Sequence, residues 1–82
     1  MNERIGIGFQ TFLSDGGEEF GAIRYISPNG RQLTIYVENA GEFIVPIEAV
    51  VSVHSQKVML DGRKLDRALR NAIGHAHDAE SE

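Results

Sequence analysis

The chain has 82 residues, with 12 acidic and 8 basic side chains, a net charge of −4 and no cysteine. That length makes one domain with a thin core, and the lack of cysteine excludes disulfides and thiolate metal sites as reinforcement, leaving oligomerisation as the available support. A net acidic chain repels nucleic acid and anionic lipid, so a generic nucleic-acid partner is disfavoured, and no apolar run reaches membrane-spanning length.

The start, MNERIGIGF, has one arginine before a short apolar run broken by glycine and lacks a cleavage-site pattern. It is not a secretory signal, and with zero cysteine it fits a cytoplasmic protein. Ile5, Ile7 and Phe9 alternate with Gly6, Gly8 and Gln10, a strand whose second face carries almost no side chain, the glycines marking a bend or bulge or else a close approach by a ligand. Residues 14–19, SDGGEE, have the composition of a solvated hairpin loop rather than a cation site. Residues 20–27 read as the next strand, with Ile23 and Tyr25 on one face and Phe20, Ala22 and Ile26 on the other. Ser27, Pro28, Asn29 and Gly30 form a tight turn: proline presets φ at the first corner and asparagine or glycine accepts a positive φ after it. The strands it joins should pair antiparallel.

Leu33, Ile35 and Val37 alternate with Thr34, Tyr36 and Glu38, the period of a strand with one buried face. Asn39, Ala40 and Gly41 supply a turn. Residues 43–47 are apolar on both faces, so each face needs cover; Phe43, Val45 and Ile47 are placed inside, and Ile44, Pro46 and Val50 outside. Pro46 has no N–H to give a ladder and belongs at an edge, a bulge or a strand end. Residues 48–50 read as a short turn, and Ser55 and Gln56 divide residues 51–60 into two short strands. The expected fold is mainly β, a small barrel of about six short antiparallel strands with a C-terminal α-helix.

From Asp61 the period changes. Leu65, Ala68, Leu69, Ala72, Ile73 and Ala76 recur at three and four, which predicts an amphipathic helix over 63–77, capped by Asp61, packed in one domain with a barrel over 1–62 and followed by a disordered tail over 78–82. Gly74 is a point where that helix can end or fray. On such a helix Arg63, Arg67 and Arg70 form a cationic stripe, a candidate contact for RNA phosphates, an acidic partner or anionic lipid. The plainer reading is a solvated face opposite Leu65, Leu69 and Ile73, with Asp66 pairing to Arg70. His75 and His77 stand two positions apart and cannot share an ion on a helix; favourable placement at its negative end explains them as well. No hydroxyl sits in a catalytic spacing, so neither catalytic residues nor a metal or cofactor site is expected.

Asp15-Gly16 with Gly21-Ala22-Ile23 downstream, Leu33-Thr34-Ile35-Tyr36-Val37, and Phe43-Ile44-Val45-Pro46 followed by Glu48-Ala49-Val50 cover residues 14–60. In these the chain resembles the PRC-barrel family, the small β-barrel named after the H subunit of the photosynthetic reaction centre and shared with a ribosome maturation factor. It departs from that pattern in its glycine-rich IGIGF and in ending with a helix. The resemblance implies a non-catalytic protein-interaction or assembly module and brings no site residues to carry over. The alternative is an RNA- or ribosome-associated factor using Arg63, Arg67 and Arg70. More apolar surface than one thin core absorbs points to a homodimer with Ile44, Pro46, Leu65, Leu69 and Ile73 as its candidate interface.

Overall fold

Pleat alternation and two tight turns build the middle of the chain. The computed structural model describes residues 4–74. It has strands β1 (Gln10–Leu13), β2 (Gly21–Ile26), β3 (Gln32–Val37), β4 (Gly41–Pro46), β5 (Val50–His54) and β6 (Lys57–Leu60), then helix α1 (Arg67–Gly74). Single 3-10 turns span Ile47–Ala49 and Gly62–Lys64. At the β2–β3 link Gly30 N donates to Ser27 O at 2.9 Å with Gly30 at φ 72°, and the Ser27 hydroxyl donates to Asn29 Oδ1 at 2.7 Å. At the β3–β4 link Ala40 N donates to Val37 O at 3.0 Å while Asn39 takes φ 69°. These turns set the register in which Leu33 faces Val45 and Ile35 faces Phe43, so that Leu33, Ile35, Val37 and Val45 all point into the core.

The chain is mainly β, a six-stranded sheet in the order β4-β3-β2-β1-β6-β5 with one C-terminal helix. Two features of the expected barrel are corrected. The strands are not all antiparallel: β1 pairs β6 in parallel, Thr11 opposite Val58 and Leu13 opposite Leu60. No short turn joins this pair, and the long crossover between them is what parallel pairing requires. The sheet is also not closed, because β4 and β5 are its two ends. It is strongly curled all the same. Six strands laid flat would hold β4 and β5 about 24 Å apart, whereas the link from Pro46 to Val50 reaches about 14 Å at most.

Two bulges move side chains from their expected faces. The β2–β3 register shifts between Ile23 and Tyr25, so Ile23 is buried while Tyr25, expected beside it, faces out. The β5–β6 register shifts between Val50 and Ser52; Val50, expected to point outward, packs against the core and Val51 takes the exposed position. Residues 5–9 are not a strand. Ile7 and Gly8 form a turn with Gly8 at φ 89°, and Gly8 N donates to Ile23 O at 2.7 Å, so the chain bends before β1 begins.

The helix is shorter than expected and starts later. Leu65 is extended, with ψ 148°, so the 3-10 turn stops there and α1 begins afresh after Asp66. Asp61 caps the 3-10 turn through Arg63 N at 3.0 Å, while Asp66 Oδ1 accepts from Leu69 N at 2.8 Å and caps α1 instead of pairing with Arg70. The remainder of the helix expected over 63–77, His75, His77 and the tail 78–82 lie outside the described residues. Leu65 and Leu69 fall in the same apolar cluster as Val45, Val53 and Leu60, which closes the helix onto its own sheet.

Candidate functional site

Two surfaces carry chemistry. The first is a groove of about 720 Å³ lined by Leu13, Ser14, Asp15, Val51, Asp61, Gly62, Arg63, Arg70 and Ile73. The end of β1 and its following turn form one wall, β5 another, and the segment 61–73 the third. Arg70 and Ile73 reach the groove together because positions three apart share a helix face. Leu13, Val51 and Ile73 give it an aliphatic lining, and Arg63, Arg70, Asp15 and Asp61 give it charge.

Asp61 and Arg63 form a forked pair. Arg63 Nε donates to Asp61 Oδ1 at 3.2 Å and Nη2 to Oδ2 at 3.3 Å, besides the backbone N–H at 3.0 Å. The Arg63 side-chain hydrogen bonds, followed by its backbone N–H, hold the Asp61 carboxyl below the usual carboxylate range. Reciprocally, the side-chain bond to Asp61 raises Arg63. The aspartate is largely shielded while the Arg63 side chain stays 90% exposed, so the pair presents the guanidinium outward. Lys64 Nζ donates to Glu48 O at 3.4 Å and ties this segment to the β4–β5 link.

The expected stripe of Arg63, Arg67 and Arg70 does not form on one helix, because Arg63 stands in the 3-10 turn before the break at Leu65. The fold still brings Arg63 and Arg70 to one groove, and Arg67 is exposed outside it. Reading the chain alone missed Leu13, Asp15 and Val51. They lie far from the arginines in sequence and carry no local signal of that proximity. Among the described residues no three His, Cys, Asp or Glu side chains gather as a metal site.

The second surface is the outer face of β2, β3 and β4. Register places Tyr25, Thr34 and Ile44 in one row across three strands and Tyr36 beside Glu42. Ile44 is 64% exposed, and Tyr25 and Tyr36 are exposed as well. Arg24 lies over the Tyr36 ring, 5.0 Å from its centre, with Nε 3.9 Å from Glu42 Oε2. Ile47 N donates to Arg31 O at 2.8 Å; by the alternation of an antiparallel ladder, residues 42, 44 and 46 then turn their backbone groups to the open edge. Pro46 therefore sits where its missing N–H breaks no bond to β3, and it interrupts that edge for any added strand.

Of the five candidate interface residues, only Ile44 and Pro46 lie on this face. Leu65 and Leu69 are 6% and 1% exposed within their own chain, which removes them from any surface a second copy can reach. Ile73 is half-buried and lines the groove. Among the described residues no helix is long and apolar enough to cross a membrane. Compared with protein-family models, characterised proteins and solved structures, the chain matches none.

Proposed function

We propose that the protein is a non-catalytic protein-interaction module that pairs with a second copy of itself through the outer face of β2, β3 and β4. The observation that carries this reading is the exposed Ile44 in a row with Tyr25, beside Tyr36. Aromatic and aliphatic side chains clustered on adjacent strands mark a surface that is used. A second copy suits it because the charges are self-complementary. Arg24, over the Tyr36 ring, lies beside Glu42, and a twofold axis lying in the contact plane and passing between these two side chains sets each arginine against the other copy's glutamate. Since Pro46 interrupts the open edge, the contact runs through the face and not by strand addition. The reading agrees with what the PRC-barrel resemblance implies, and it rests on the face rather than on the resemblance.

Light scattering after size exclusion, run from low to high micromolar protein, tests it. The expected mass is twice the 9.0 kDa of one chain. Ile44→Glu should give a single-chain mass while still melting cooperatively, and Val51→Glu, also exposed but on the groove side, should stay paired. A single-chain mass for the unaltered protein at every concentration would overturn the proposal.

A further inference from the structure

The groove shares no residue with the pairing face, and its chemistry points to a different occupant. We infer that it binds an extended peptide segment in which single carboxylates alternate with aliphatic side chains. Its volume of about 720 Å³ is within the range of ligand sites. The charge on its rim is not all used internally. Asp61 is engaged by Arg63, which spends Nε and one Nη2 hydrogen on that bond and keeps its remaining donors pointed to solvent. Arg70 makes no ion pair among the described residues. Two guanidinium groups with free donors match a planar carboxylate, which each can hold through two parallel hydrogen bonds.

The aliphatic lining fixes the rest of the ligand. Leu13, Val51 and Ile73 come from three different elements and give the groove that holds both arginines apolar surface that a purely ionic ligand would not cover. Asp15 stands at the same rim and repels closely spaced anions, which selects one carboxylate between apolar neighbours over an acidic run or a nucleic-acid backbone. Among the described residues no aromatic side chain lines the groove to stack a base, and the net charge of −4 opposes a polyanion further. Asp15, Val51 and Arg63 are all exposed, so the groove opens to solvent and a segment of a longer chain can reach it.

Isothermal titration of the full chain with an acetylated, amidated hexapeptide of alternating leucine and glutamate tests the inference. Binding is expected at physiological salt, with its glutamine counterpart at least tenfold weaker. Arg70→Gln should weaken binding about tenfold or more, as loss of a charged hydrogen-bond partner does. Val51→Ser, at an exposed position that leaves folding intact, should weaken it several-fold. Arg67→Gln removes the same charge outside the groove and should change nothing, and Ile44→Glu should bind like the unaltered chain, which separates this test from that of the pairing face. Equal weakening by Arg67→Gln and Arg70→Gln would show general attraction and overturn the site. So would no heat of binding at millimolar peptide, or tighter binding of an oligouridine of matched length.

Discussion

The β2–β3–β4 meander and the segment 61–74 are held together by different physics. In the meander each strand pairs with its neighbour in sequence, the turns set register, and alternation carries Ile23, Leu33, Ile35, Val37 and Val45 into the core. The segment 61–74 makes no strand pairing of its own. It is anchored by Leu65 and Leu69, by the bond from Asp61 N to Ala49 O at 2.8 Å and by the Lys64 contact to the β4–β5 link, and two aspartate caps hold its turns from within. The meander is therefore the stable body. The segment is attached mainly by side chains, which leaves Arg63 and Arg70 free at the surface where a groove can use them. Few buried contacts also place it at the low end of local stability.

The contrast is most easily broken from the meander side. Val45→Asp puts a carboxylate at a position with no exposure at all, and without a partner it should cost about 4 kcal/mol or more. A chain of this length holds about 4–12 kcal/mol in total, so circular dichroism should show a melt far below that of the unaltered chain or none at all. A cooperative melt close to that of the unaltered chain would remove Val45 from the core. Ile44→Glu, one residue away and facing out, should stay folded and melt cooperatively, lowered only by what pairing contributes.

Gly21→Ala comes next. A Cβ there would fall on the Tyr36 carbonyl oxygen, in backbone that cannot swing aside as a side chain does. Forcing β2 away from β3 should lose about 3 kcal/mol, read as a lower urea midpoint; an unchanged midpoint would mean that these strands have slack.

Asp66→Ala sharpens the comparison from the other side. Loss of the α1 cap should cost about 1 kcal/mol, and hydrogen exchange should quicken in residues 67–74 while β2, β3 and β4 keep their protection. Uniform quickening would show that the segment and the sheet unfold as one unit.

The smallest expected effect is the acid sensitivity of Asp61. Because folding lowers its pKa, the stabilisation is complete above the unfolded value near 4 and fades as pH falls through the folded value. Arg63 is raised, so its share would be lost only at alkaline pH far above ordinary handling. Below about pH 4 the unaltered chain should therefore lose melting temperature faster than Asp61→Asn, and parallel pH profiles would show that the fork contributes nothing.

Much of the strand layout was legible in the chain because pleat period and turn chemistry are local. Leu33, Ile35 and Val37 announce β3, Ser27 to Gly30 announce its entry turn, and Pro46 announces an edge, a bulge or a strand end, of which the fold realises edge and end together. Ser55 and Gln56, both at positive φ, divide β5 from β6 where the chain implied a break. The candidate site was legible only in part. The arginines could be picked out, but on a helix that instead restarts after Asp66, a cap competing with the apolar period that runs through Leu65.

Tertiary structure alone decided the rest. The parallel β1–β6 pairing, the open edge between β4 and β5, and the bulge that turns Tyr25 outward depend on which strand edges meet, and no local rule specifies that. The burial of Leu65 and Leu69 in their own sheet results from the curl that the link over residues 47–49 imposes. The parallel β1–β6 pairing, with Leu13 opposite Leu60 and Ser14 N donating to Leu60 O at 2.8 Å, brings Leu13 and Asp15, from the front of the chain, against the segment that carries Arg63 and Arg70. Residue types determined the strands and turns of this protein, and the non-local pairing and curl of the open sheet decided where its charges and its exposed apolar side chains came together.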